Sequence, residues 1–552
     1  MPARELSFTK ALIKLNKLLL LDRADIASVY LFAVLAGIVQ LSLPLGIQSI
    51  ISFVMAGAIS TSIVVLIILA LFGVFINGLL QIRQLEVIEK VKQKIYVRYS
   101  LEFSDRLPKI NIEKLDNEYL PELVNTYFDS VSLQKGIDKI LIDLPAAIIQ
   151  VLVGLILLSF YHPIFIAFGL VLIAIVLGII SLTSTEGLVT AINASSYKYK
   201  VAAWLQEVAR SIKTFKYAKN TAIQMRKTDQ LLEGYLDSRT SHFKILIKQF
   251  WSLVSFKILI TGAMLIIGSF LLVNQQINVG QFIAADIVII AIIGSVEKII
   301  TNLDTVYDAL VSIEKLGVIT ESETEKSGTL ELETKNEGIA VDFQNVNFSY
   351  GNNKPALKGI SFSIPSGEMV QLRGASGSGK TTILRLLTGA FNNYDGTILI
   401  DKLPLRNYAI NSLRNQTGIL LESQDIFQGT LWENLTMGND NVKLEEINHL
   451  IKITGLDEFI QSIPNGYETM LLPVGSKLSN TTKKNILLTR ALLGQHRLLL
   501  LEEPFSHLQE PYKSNVINYL KKDKTSTIIV ASNTNENYFN KTIEIGQNDV
   551  IK

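Results

Sequence analysis

The sequence of 552 residues has no cysteine, few histidines and no strong excess of either charge. The absence of cysteine excludes disulfides, thiolate zinc sites and cysteine nucleophiles. The five histidines are scattered without the spacing of metal ligands, so a histidine metal site is not expected. The 52 basic and 50 acidic residues leave a net charge of +2, which offers no basic excess for binding a polyanion. We therefore expect no nucleic-acid partner.

Charge is also missing from long stretches in the first three-fifths of the chain. Charged residues make up 18% of the sequence, below the ~25% of soluble domains, while 48% of the residues are hydrophobic. No Asp, Glu, Lys or Arg occurs between Asp25 and Arg83, or between Asp143 and Glu186. Apolar runs of this length exceed what a helix in a soluble core requires. A purely soluble protein is excluded, and membrane lipid is an expected partner.

Six segments are apolar enough to cross a bilayer, which takes about 20 residues of helix. They cover residues 29–50, 63–82, 145–161, 164–182, 250–273 and 279–296. We predict a six-span membrane domain over residues 26–317. Residues 1–25 resemble a basic amphipathic helix that lies at the membrane interface, with a frayed cytosolic leader as the alternative.

The loops between these spans predict their orientation. Three loops are short and contain neither Lys nor Arg: residues 52–62, 161–163 and 274–278. The other two, residues 83–143 and 186–248, are long, basic and helical in composition. By the positive-inside rule, both long loops and both termini face the cytoplasm. Lys257 in the fifth span is either a functional charge or a boundary lysine that reaches the headgroups.

The composition changes after the last span. Residues 318–337 contain the run TESETEKSGTLELETKNE, which is polar, acidic and without an apolar face. Such a run is typical of a linker. Residues 338–552 then alternate between strand and helix patterns, which predicts a separate α/β domain.

A glycine-rich loop joins a strand to a helix early in this second domain. The strand-like EMVQLRG runs into GASGSGKTT and then into the helical ILRLLTGA. The loop matches G-x-x-x-x-G-K-[ST], in which backbone amides cradle phosphates, the lysine reaches the β- and γ-phosphates and the hydroxyl binds Mg²⁺. The predicted ATP-binding residues are Gly374, Ala375, Ser376, Gly377, Ser378, Gly379, Lys380, Thr381 and Thr382. Thr381 is also a predicted ligand of Mg²⁺.

Two adjacent acids follow a second strand pattern, LLLLEEP at residues 498–504. An acid at the end of a buried parallel strand can hold Mg²⁺ and a water molecule beside a P-loop. We predict that Glu502 is a metal ligand and that Glu503 is the catalytic general base. A chance pair of surface glutamates is the alternative.

The chain resembles the ATP-binding cassette (ABC) exporters, specifically half-transporters in which six spans precede one nucleotide-binding domain. The resemblance rests on the two motifs above and on LRNQTGILLESQDIFQGTLWENL and NGYETMLLPVGSKLSNTTKKNILLTRALL, in family order and spacing. It implies a membrane all-α six-helix exporter domain plus a C-terminal α/β P-loop cassette domain, in a bacterial inner membrane. The run LLSFYHPIFIAFG, residues 157–169, looks most like exporters of peptides and proteins, including those of type I secretion.

The resemblance implies roles for further residues. Tyr350 falls where the family stacks an aromatic ring on adenine. Ser479, in the signature segment, would contact the γ-phosphate of ATP held by a second half-transporter. Glu422 would sense Mg²⁺, and Ser532 occupies the position of the switch histidine. ATP, Mg²⁺ and a second half-transporter, identical or different, are therefore the implied cofactors and partner.

Several positions depart from the family pattern. Asn480 and Thr481 replace two glycines of the signature, which adds Cβ atoms where the backbone must approach a phosphate. Glu422 occupies a position where the family has glutamine, and Glu502 occupies a position where the family has aspartate. Ser532 cannot supply the positive charge of an imidazolium, and loss of one such electrostatic donor costs about 10²–10³ in rate. We expect ATP binding with weak hydrolysis.

Three functions remain open from the sequence. The first is an exporter subunit that couples ATP binding and slow hydrolysis to outward transport of a peptide, protein or hydrophobic substrate. The second is the degenerate half of a heterodimer with a fully equipped partner, and the third is a non-transporting ATP-binding membrane sensor or scaffold. The secretion resemblance would add a periplasmic adaptor and an outer-membrane channel. The family's coupling helices would lie near residues 117–124 and 208–218.

Overall fold

The structure, a computed structural model, describes residues 8–55, 61–115, 120–219, 222–351, 355–534, 538–546 and 550–551. The chain divides into two compact units. The first comprises Met1–Pro108 and Tyr119–Ser322, and the second comprises Lys109–Glu118 and Glu323–Lys552. Residues 1–7 of the predicted interfacial segment and residues 117–119 of the first predicted coupling segment lie outside the described residues.

The first unit is helical, and its described part contains six helical stretches long and apolar enough to cross a membrane. This confirms the predicted six-helix all-α domain. The helices up to residue 320 are α1 (Phe8–Leu20), α2 (Arg23–Gln40), α3 (Ser42–Met55), α4 (Thr61–Arg106), α5 (Ile112–Leu115), α6 (Leu120–Asn125), α7 (Asp129–Asp138), α8 (Leu144–Tyr161), α9 (Ile164–Arg210), α10 (Ile212–Tyr217), α11 (Ile223–Val273), α12 (Val279–Thr301) and α13 (Leu303–Thr320). Of these, α5 belongs to the second unit.

The first span is interrupted where one continuous helix was predicted. Helix α2 ends at Gln40 and α3 begins at Ser42. Pro44 lies in the first turn of α3 and has no N–H to donate to Gln40, four residues earlier. The proline ring also crowds that carbonyl, so an unbroken helix through this point is unfavourable. Proline is tolerated in a first turn, and the helix therefore restarts just before it.

Three helices extend far beyond their apolar stretches. Helices α4, α9 and α11 contain 46, 47 and 51 residues. At about 1.5 Å per residue each is about 70 Å long or more, over twice the ~30 Å hydrocarbon core of a bilayer. Helix α9 packs along α11. The charged segments that flank the spans are therefore helical continuations of them.

Two sets of polar side chains inside this unit are paired across helices. Lys257 of α11 forms an ion pair with Glu297 of α12 at 2.8 Å, which accounts for a charge inside the fifth span. The buried Gln249 donates hydrogen bonds to the hydroxyls of Thr183 and Tyr307, both at 2.9 Å. Pairing of this kind offsets the cost of burying polar groups away from water.

The second unit is an α/β domain, as predicted from the alternating patterns. Its strands are β1 (Val341–Ser349), β2 (Pro355–Ile364), β3 (Met369–Arg373), β4 (Asp395–Ile400), β5 (Leu403–Pro404), β6 (Thr417–Leu420), β7 (Gly429–Thr430), β8 (Met470–Leu471), β9 (Leu498–Glu502), β10 (Thr527–Ala531), β11 (Lys541–Ile545) and β12 (Val550–Ile551). Its remaining helices are α14 (Lys380–Leu387), α15 (Ile410–Asn415), α16 (Leu431–Thr436), α17 (Leu444–Thr454), α18 (Asp457–Ser462), α19 (Asn480–Leu492) and α20 (Tyr512–Lys522).

The strands form two main sheets. One has the order β2-β1-β4-β5 and is antiparallel. The other has the order β12-β11-β3-β10-β9-β6, in which β11, β3, β10, β9 and β6 run parallel. The central strands β9 and β10 are buried along their whole length, which explains their continuous apolar runs LLLLE and TIIVA. The carboxyl ends of β3, β10 and β9 therefore meet at one edge.

The polar segment expected as a linker over residues 318–337 divides between two elements. Its first residues belong to α13, which ends at Thr320. From residue 323 onward the segment is part of the second unit. Arg414 donates two hydrogen bonds to Glu325, at 2.8 and 2.9 Å. The backbone of Leu330 forms hydrogen bonds with the backbone of residues 407 and 409. These bonds hold the segment against the α/β domain.

Candidate nucleotide-binding site

The glycine loop follows β3 and leads directly into α14. Gly377 and Gly379 have φ angles of +80° and +100°, in the left-handed region that glycine adopts without a Cβ penalty. A Cβ on Gly379 would lie 2.4 Å from the Leu357 side chain and 2.9 Å from the Ala356 carbonyl oxygen. The loop therefore needs glycine here, both for its backbone angle and for space. The first amides of α14 lack intrahelical acceptors, which is the arrangement that binds phosphate.

Lys380 folds back over this loop. Its Nζ donates hydrogen bonds to the carbonyl oxygens of Gly374 at 2.6 Å and Ala375 at 3.1 Å. Burial lowers the pKa of Lys380, while the nearby carboxylates of Glu503 and Glu502 oppose that shift. The ammonium group is thus held beside the loop, where it can exchange carbonyl partners for phosphate oxygens.

The first acid after β9, Glu502, lies between the loop and the strand edge. Its side chain is buried and accepts hydrogen bonds from the Thr381 hydroxyl and from the backbone N–H of Glu422 at 2.9 Å. Hydroxyl and carboxylate oxygens are the ligands that Mg²⁺ prefers. No group of three or more His, Asp or Glu side chains in the described segments could hold a metal alone. Thr381 and Glu502 therefore fit Mg²⁺ that also takes water and phosphate oxygens.

Glu503 has a strained backbone and a half-buried carboxylate. Its φ is +45°, unfavourable for a residue with a side chain, and its N–H donates to the Ala531 carbonyl oxygen at 2.9 Å. Its Oε1 accepts a hydrogen bond from the Asn533 N–H at 3.1 Å. Burial raises the pKa of Glu503, and the Asn533 N–H and Lys380 oppose the rise. A carboxylate with a raised pKa is a stronger proton acceptor in its ionised form.

A cavity of about 620 Å³ opens onto these groups, within the range of about 300–1,000 Å³ usual for small-molecule sites. The predicted residues that line it are Tyr350, Ser376, Gly377, Ser378, Gly379, Lys380, Thr381, Thr382, Glu422, Glu502 and Glu503. The Tyr350 ring packs edge-on against Phe348 and Phe391, and its hydroxyl lies 3.1 Å from that of Thr382. Among the residues that the structure describes, none forms a hydrogen bond with the buried Ser378 hydroxyl.

Four predicted site residues do not line this cavity. Gly374 and Ala375 lie next to it and accept the Lys380 hydrogen bonds. Ser479 caps α19, where its hydroxyl accepts from the Thr482 N–H at 3.0 Å. Ser532 is 2% exposed, and its hydroxyl accepts a hydrogen bond from Gln371 at 2.8 Å. The side chain expected at the switch position is therefore turned into the sheet.

Two residues at the site were missed by sequence reasoning. Asn533 lines the cavity and donates its N–H to Glu503. Gln371, a fully buried amide in β3, donates to the Ser532 hydroxyl at 2.8 Å and to the Thr534 carbonyl oxygen at 2.6 Å. Gln371 thereby fixes the residues on both sides of Asn533. The sequence does contain a signal for Gln371, because it is the one polar residue in the otherwise apolar strand MVQL.

Replacing Gln371 with Leu is expected to lower ATP turnover while leaving ATP affinity unchanged, because it removes both bonds that fix the segment around Asn533. The buried Ser532 hydroxyl would lose its donor, a loss that costs about 1–3 kcal/mol of stability. Steady-state hydrolysis and thermal unfolding measure the two effects. Thr542→Val is the control, since it removes only a long 3.4 Å contact to the same amide. Unchanged turnover in Gln371→Leu would show that Asn533 is positioned without it.

Comparison with known proteins agrees with this geometry. The family model described as ABC transporter matches residues 357–506, and the model described as ABC transporter transmembrane region matches residues 26–296. The chain belongs to the ABC transporter family. The two matches, in this order, confirm the predicted half-transporter architecture of a six-helix membrane region followed by one cassette domain.

Curated relatives of this ABC half-transporter match parts of their length. It is 36% identical over 192 residues to the uncharacterized ABC transporter ATP-binding protein YknV of Bacillus subtilis (strain 168), covering 34% of this chain and 32% of YknV. It is 29% identical over 328 residues to the mitochondrial iron-sulfur clusters transporter ABCB7 of Oryzias latipes, covering 57% of this chain and 43% of ABCB7. The chain thus spans less than half the length of these relatives.

A solved structure matches nearly the whole ABC half-transporter. A bacterial Atm1-family ABC exporter with ATP bound superposes with a TM-score of 0.86 at 17% sequence identity. The match covers 96% of this chain and 94% of the other. At this identity the likeness establishes the fold, an exporter membrane domain with its cassette domain.

Proposed function

We propose that this ABC half-transporter is an exporter subunit that binds ATP with Mg²⁺, dimerises with a second half-transporter and drives outward transport by slow ATP hydrolysis. The observation that supports this most is the meeting of four chemical groups at the carboxyl ends of β3 and β9. They are the Lys380 ammonium, the Thr381 hydroxyl and the carboxylates of Glu502 and Glu503. Phosphoryl transfer depends on positioning and electrostatic stabilisation by groups of these kinds.

Each group has a distinct task in hydrolysis. Lys380 leaves the loop carbonyls and binds the β- and γ-phosphates of ATP. Thr381 and Glu502 would hold Mg²⁺, which neutralises charge on the phosphates when it is bound. Glu503 takes the proton of the attacking water, with its carboxylate oriented by the Asn533 N–H. Tyr350 offers an aromatic face for the adenine.

Slow turnover is proposed because the site lacks a cationic donor at the switch position. The Ser532 hydroxyl is occupied by Gln371, and serine carries no charge at the transition state. Asn480 and Thr481 in the signature hinder close approach of the backbone to a phosphate. These departures also support a second candidate, a degenerate half whose partner has a complete signature and histidine. In either assembly Ser479 acts on ATP held by the other subunit.

The proposed substrate and the proposed membrane rest on sequence features alone. Residues 157–169 support a peptide or protein substrate, and the apolar spans also fit a hydrophobic substrate. The basic loops 83–143 and 186–248 support a place in a bacterial inner membrane, with the cassette domain and both termini in the cytoplasm. A periplasmic adaptor and an outer-membrane channel would follow only from the type I secretion resemblance.

ATP hydrolysis by the full chain in nanodiscs tests this proposal. The chain alone should hydrolyse ATP slowly if two copies form a working dimer. Activity that appears only after adding a second half-transporter, with an intact signature and histidine, would favour the degenerate half. If ATP binds yet neither arrangement releases phosphate above background, the exporter proposal fails.

We further assign the coupling role of the first long loop to α5 (Ile112–Leu115). This short helix belongs to the second unit, although it lies in the chain between the second and third spans. Its Glu113 accepts hydrogen bonds from the backbone N–H groups of Asn392 and Asn393, both at 3.0 Å. Hydrogen bonds to a charged group are about twice as strong as neutral ones. The contact lies a few residues before the position expected for the coupling helix.

Glu113→Ala should speed amide hydrogen exchange at Asn392 and Asn393. The substitution removes the acceptor of both amides, and hydrogen bonds to charged groups contribute about 1.5–3 kcal/mol, so exchange should rise about 10- to 100-fold. Hydrogen–deuterium exchange with mass spectrometry gives this readout. Glu122→Ala, in α6 of the first unit, serves as the matched control. Equal exchange in both variants would remove the basis for assigning α5 this role.

A further inference from the structure

Two charged residues lie within the six apolar stretches of the first unit. One is Lys257, whose ammonium group is paired with Glu297. The other is Asp286, in the sixth stretch. At about 1.5 Å per residue, Asp286 lies about 10 Å along α12 from Val279 and about 15 Å from Val296, the two ends of that stretch. A carboxylate is therefore placed near the middle of the bilayer.

Asp286 lies on the open side of α12. This helix packs against α3, α8 and α11, and its buried positions recur every three or four residues over residues 284–300. Asp286 is half-buried on the opposite side, where Ile290, one turn later, is 62% exposed. Ile283 and Ile293 share this face. The open side of α12 thus presents one carboxylate within a row of isoleucines.

This carboxylate is not compensated by a neighbouring group. Among the residues that the structure describes, none forms a hydrogen bond or an ion pair with Asp286. A charge near the middle of a bilayer is costly in contact with lipid, so such residues face the interior of a bundle or a water-filled path. The open side of α12 therefore faces away from lipid. In the proposed exporter, the space that meets this requirement is the route of the transported molecule.

The surroundings of Asp286 select the chemistry of its ligand. Divalent metals take several oxygen ligands, and no group of three or more His, Asp or Glu side chains in the described ranges could hold one. The other acid of α12, Glu297, lies about 16 Å away along the helix and is paired with Lys257, so a polycation finds no second acid there. One carboxylate between isoleucines instead matches an organic cation that has one positive charge and an apolar body.

We propose that Asp286 binds the positive charge of the exported molecule, and that this molecule is a lipophilic organic cation with a single charge. The carboxylate compensates the charge of the cargo within the membrane, and the isoleucines contact its apolar part. The inference rests on the proposed export function and narrows its substrate class.

Equilibrium binding of radiolabelled tetraphenylphosphonium to the full chain in phosphatidylcholine nanodiscs tests the assignment, with empty nanodiscs as the background for partition into lipid. Saturable binding is expected, displaced by a second lipophilic cation, ethidium. Triphenylphosphine oxide carries similar aromatic groups without a charge. It should compete at least about 10-fold less well, because it lacks the attraction between unit charges in a partly desolvated site. Absence of saturable binding for both cations overturns the proposal, and so does equal competition by the neutral oxide.

Variants locate the bound cation. Asp286→Asn should weaken tetraphenylphosphonium binding by about 10-fold or more, whereas Asp286→Glu keeps the charge and should bind nearly as well as the unaltered chain. Asp237→Asn is the matched control, because Asp237 is an exposed acid of α11 outside the apolar stretch, and it should bind normally. Unweakened binding in Asp286→Asn would place the cation elsewhere and overturn the assignment. The competition by the neutral oxide uses the unaltered chain and decides the question even where a variant does not fold.

ATP hydrolysis by the same nanodisc samples separates this inference from the export function. Hydrolysis without saturable cation binding refutes the cargo assignment alone. Cation binding that depends on the Asp286 charge, in a chain that releases no phosphate, supports the cation site while the exporter proposal fails.

Discussion

The Glu503→Gln variant is expected to hydrolyse ATP about 10²–10⁴-fold more slowly than the unaltered chain, the range for removing a general base. Glutamine keeps the shape of the side chain and can still accept the Asn533 hydrogen bond. It cannot accept the proton of an attacking water. The expected loss is therefore in kcat, while the affinity for ATP should be unchanged.

Phosphate release under saturating ATP measures this loss, and equilibrium ATP binding measures the affinity. Glu445→Gln is the matched control, because Glu445 is an exposed glutamate of α17 in the same unit. The control should hydrolyse ATP at the normal rate. A Glu503→Gln variant as active as the control would mean that another group takes the proton, and the role of Glu503 would be lost.

The position of Ser532 supports the proposed slow hydrolysis. The resemblance places Ser532 at the position of the switch histidine, where a serine hydroxyl facing the nucleotide could donate a hydrogen bond to the γ-phosphate. Its hydroxyl instead lies within the sheet, bound to Gln371, and only the neighbouring Asn533 lines the cavity. The site thus lacks both the charge and the side-chain donor of a switch histidine, unless Gln371 releases the serine.

The parts of the site that sequence reasoning located are those with local signals. The glycine loop is marked by positive φ at Gly377 and Gly379, which few other residues adopt. The apolar runs of β9 and β10 end at polar residues, and parallel strands bring those ends to one edge. The six spans are visible for a similar reason, since about 20 apolar residues in succession identify each one.

The parts that it did not locate depend on contacts between distant segments. Gln371 and Ser532 are 161 residues apart in the chain, and Glu113 and Asn392 are 279 apart. No periodicity or spacing connects such pairs. The acidic run from residue 323 shows the same limit, because its polar composition is that of a linker while Glu325 is bound by Arg414. Composition describes a segment's solubility, and only the fold shows what it binds.

Replacing Lys380 with Met is expected to weaken ATP binding by about 10- to 100-fold. The substitution keeps the length and apolar stem of the side chain and removes the charge, and hydrogen bonds to charged groups contribute about 1.5–3 kcal/mol. The same change frees the carbonyls of Gly374 and Ala375, which now accept from the ammonium group. The loop should therefore loosen as well as lose its cation. Binding of radiolabelled ATP to the full chain in nanodiscs provides the measurement.

Lys358→Met separates a specific effect from a general change in surface charge, because Lys358 is an exposed lysine of β2 that does not line the cavity. Its ATP affinity should be normal. Normal affinity in Lys380→Met as well would show that phosphate is held elsewhere, and then Glu503 would have no reacting group beside it. Weak binding in Lys380→Met together with normal binding in Glu503→Gln would separate the two roles, one in holding the triphosphate and one in its hydrolysis. That pair of results is the one that the arrangement at the ends of β3 and β9 requires.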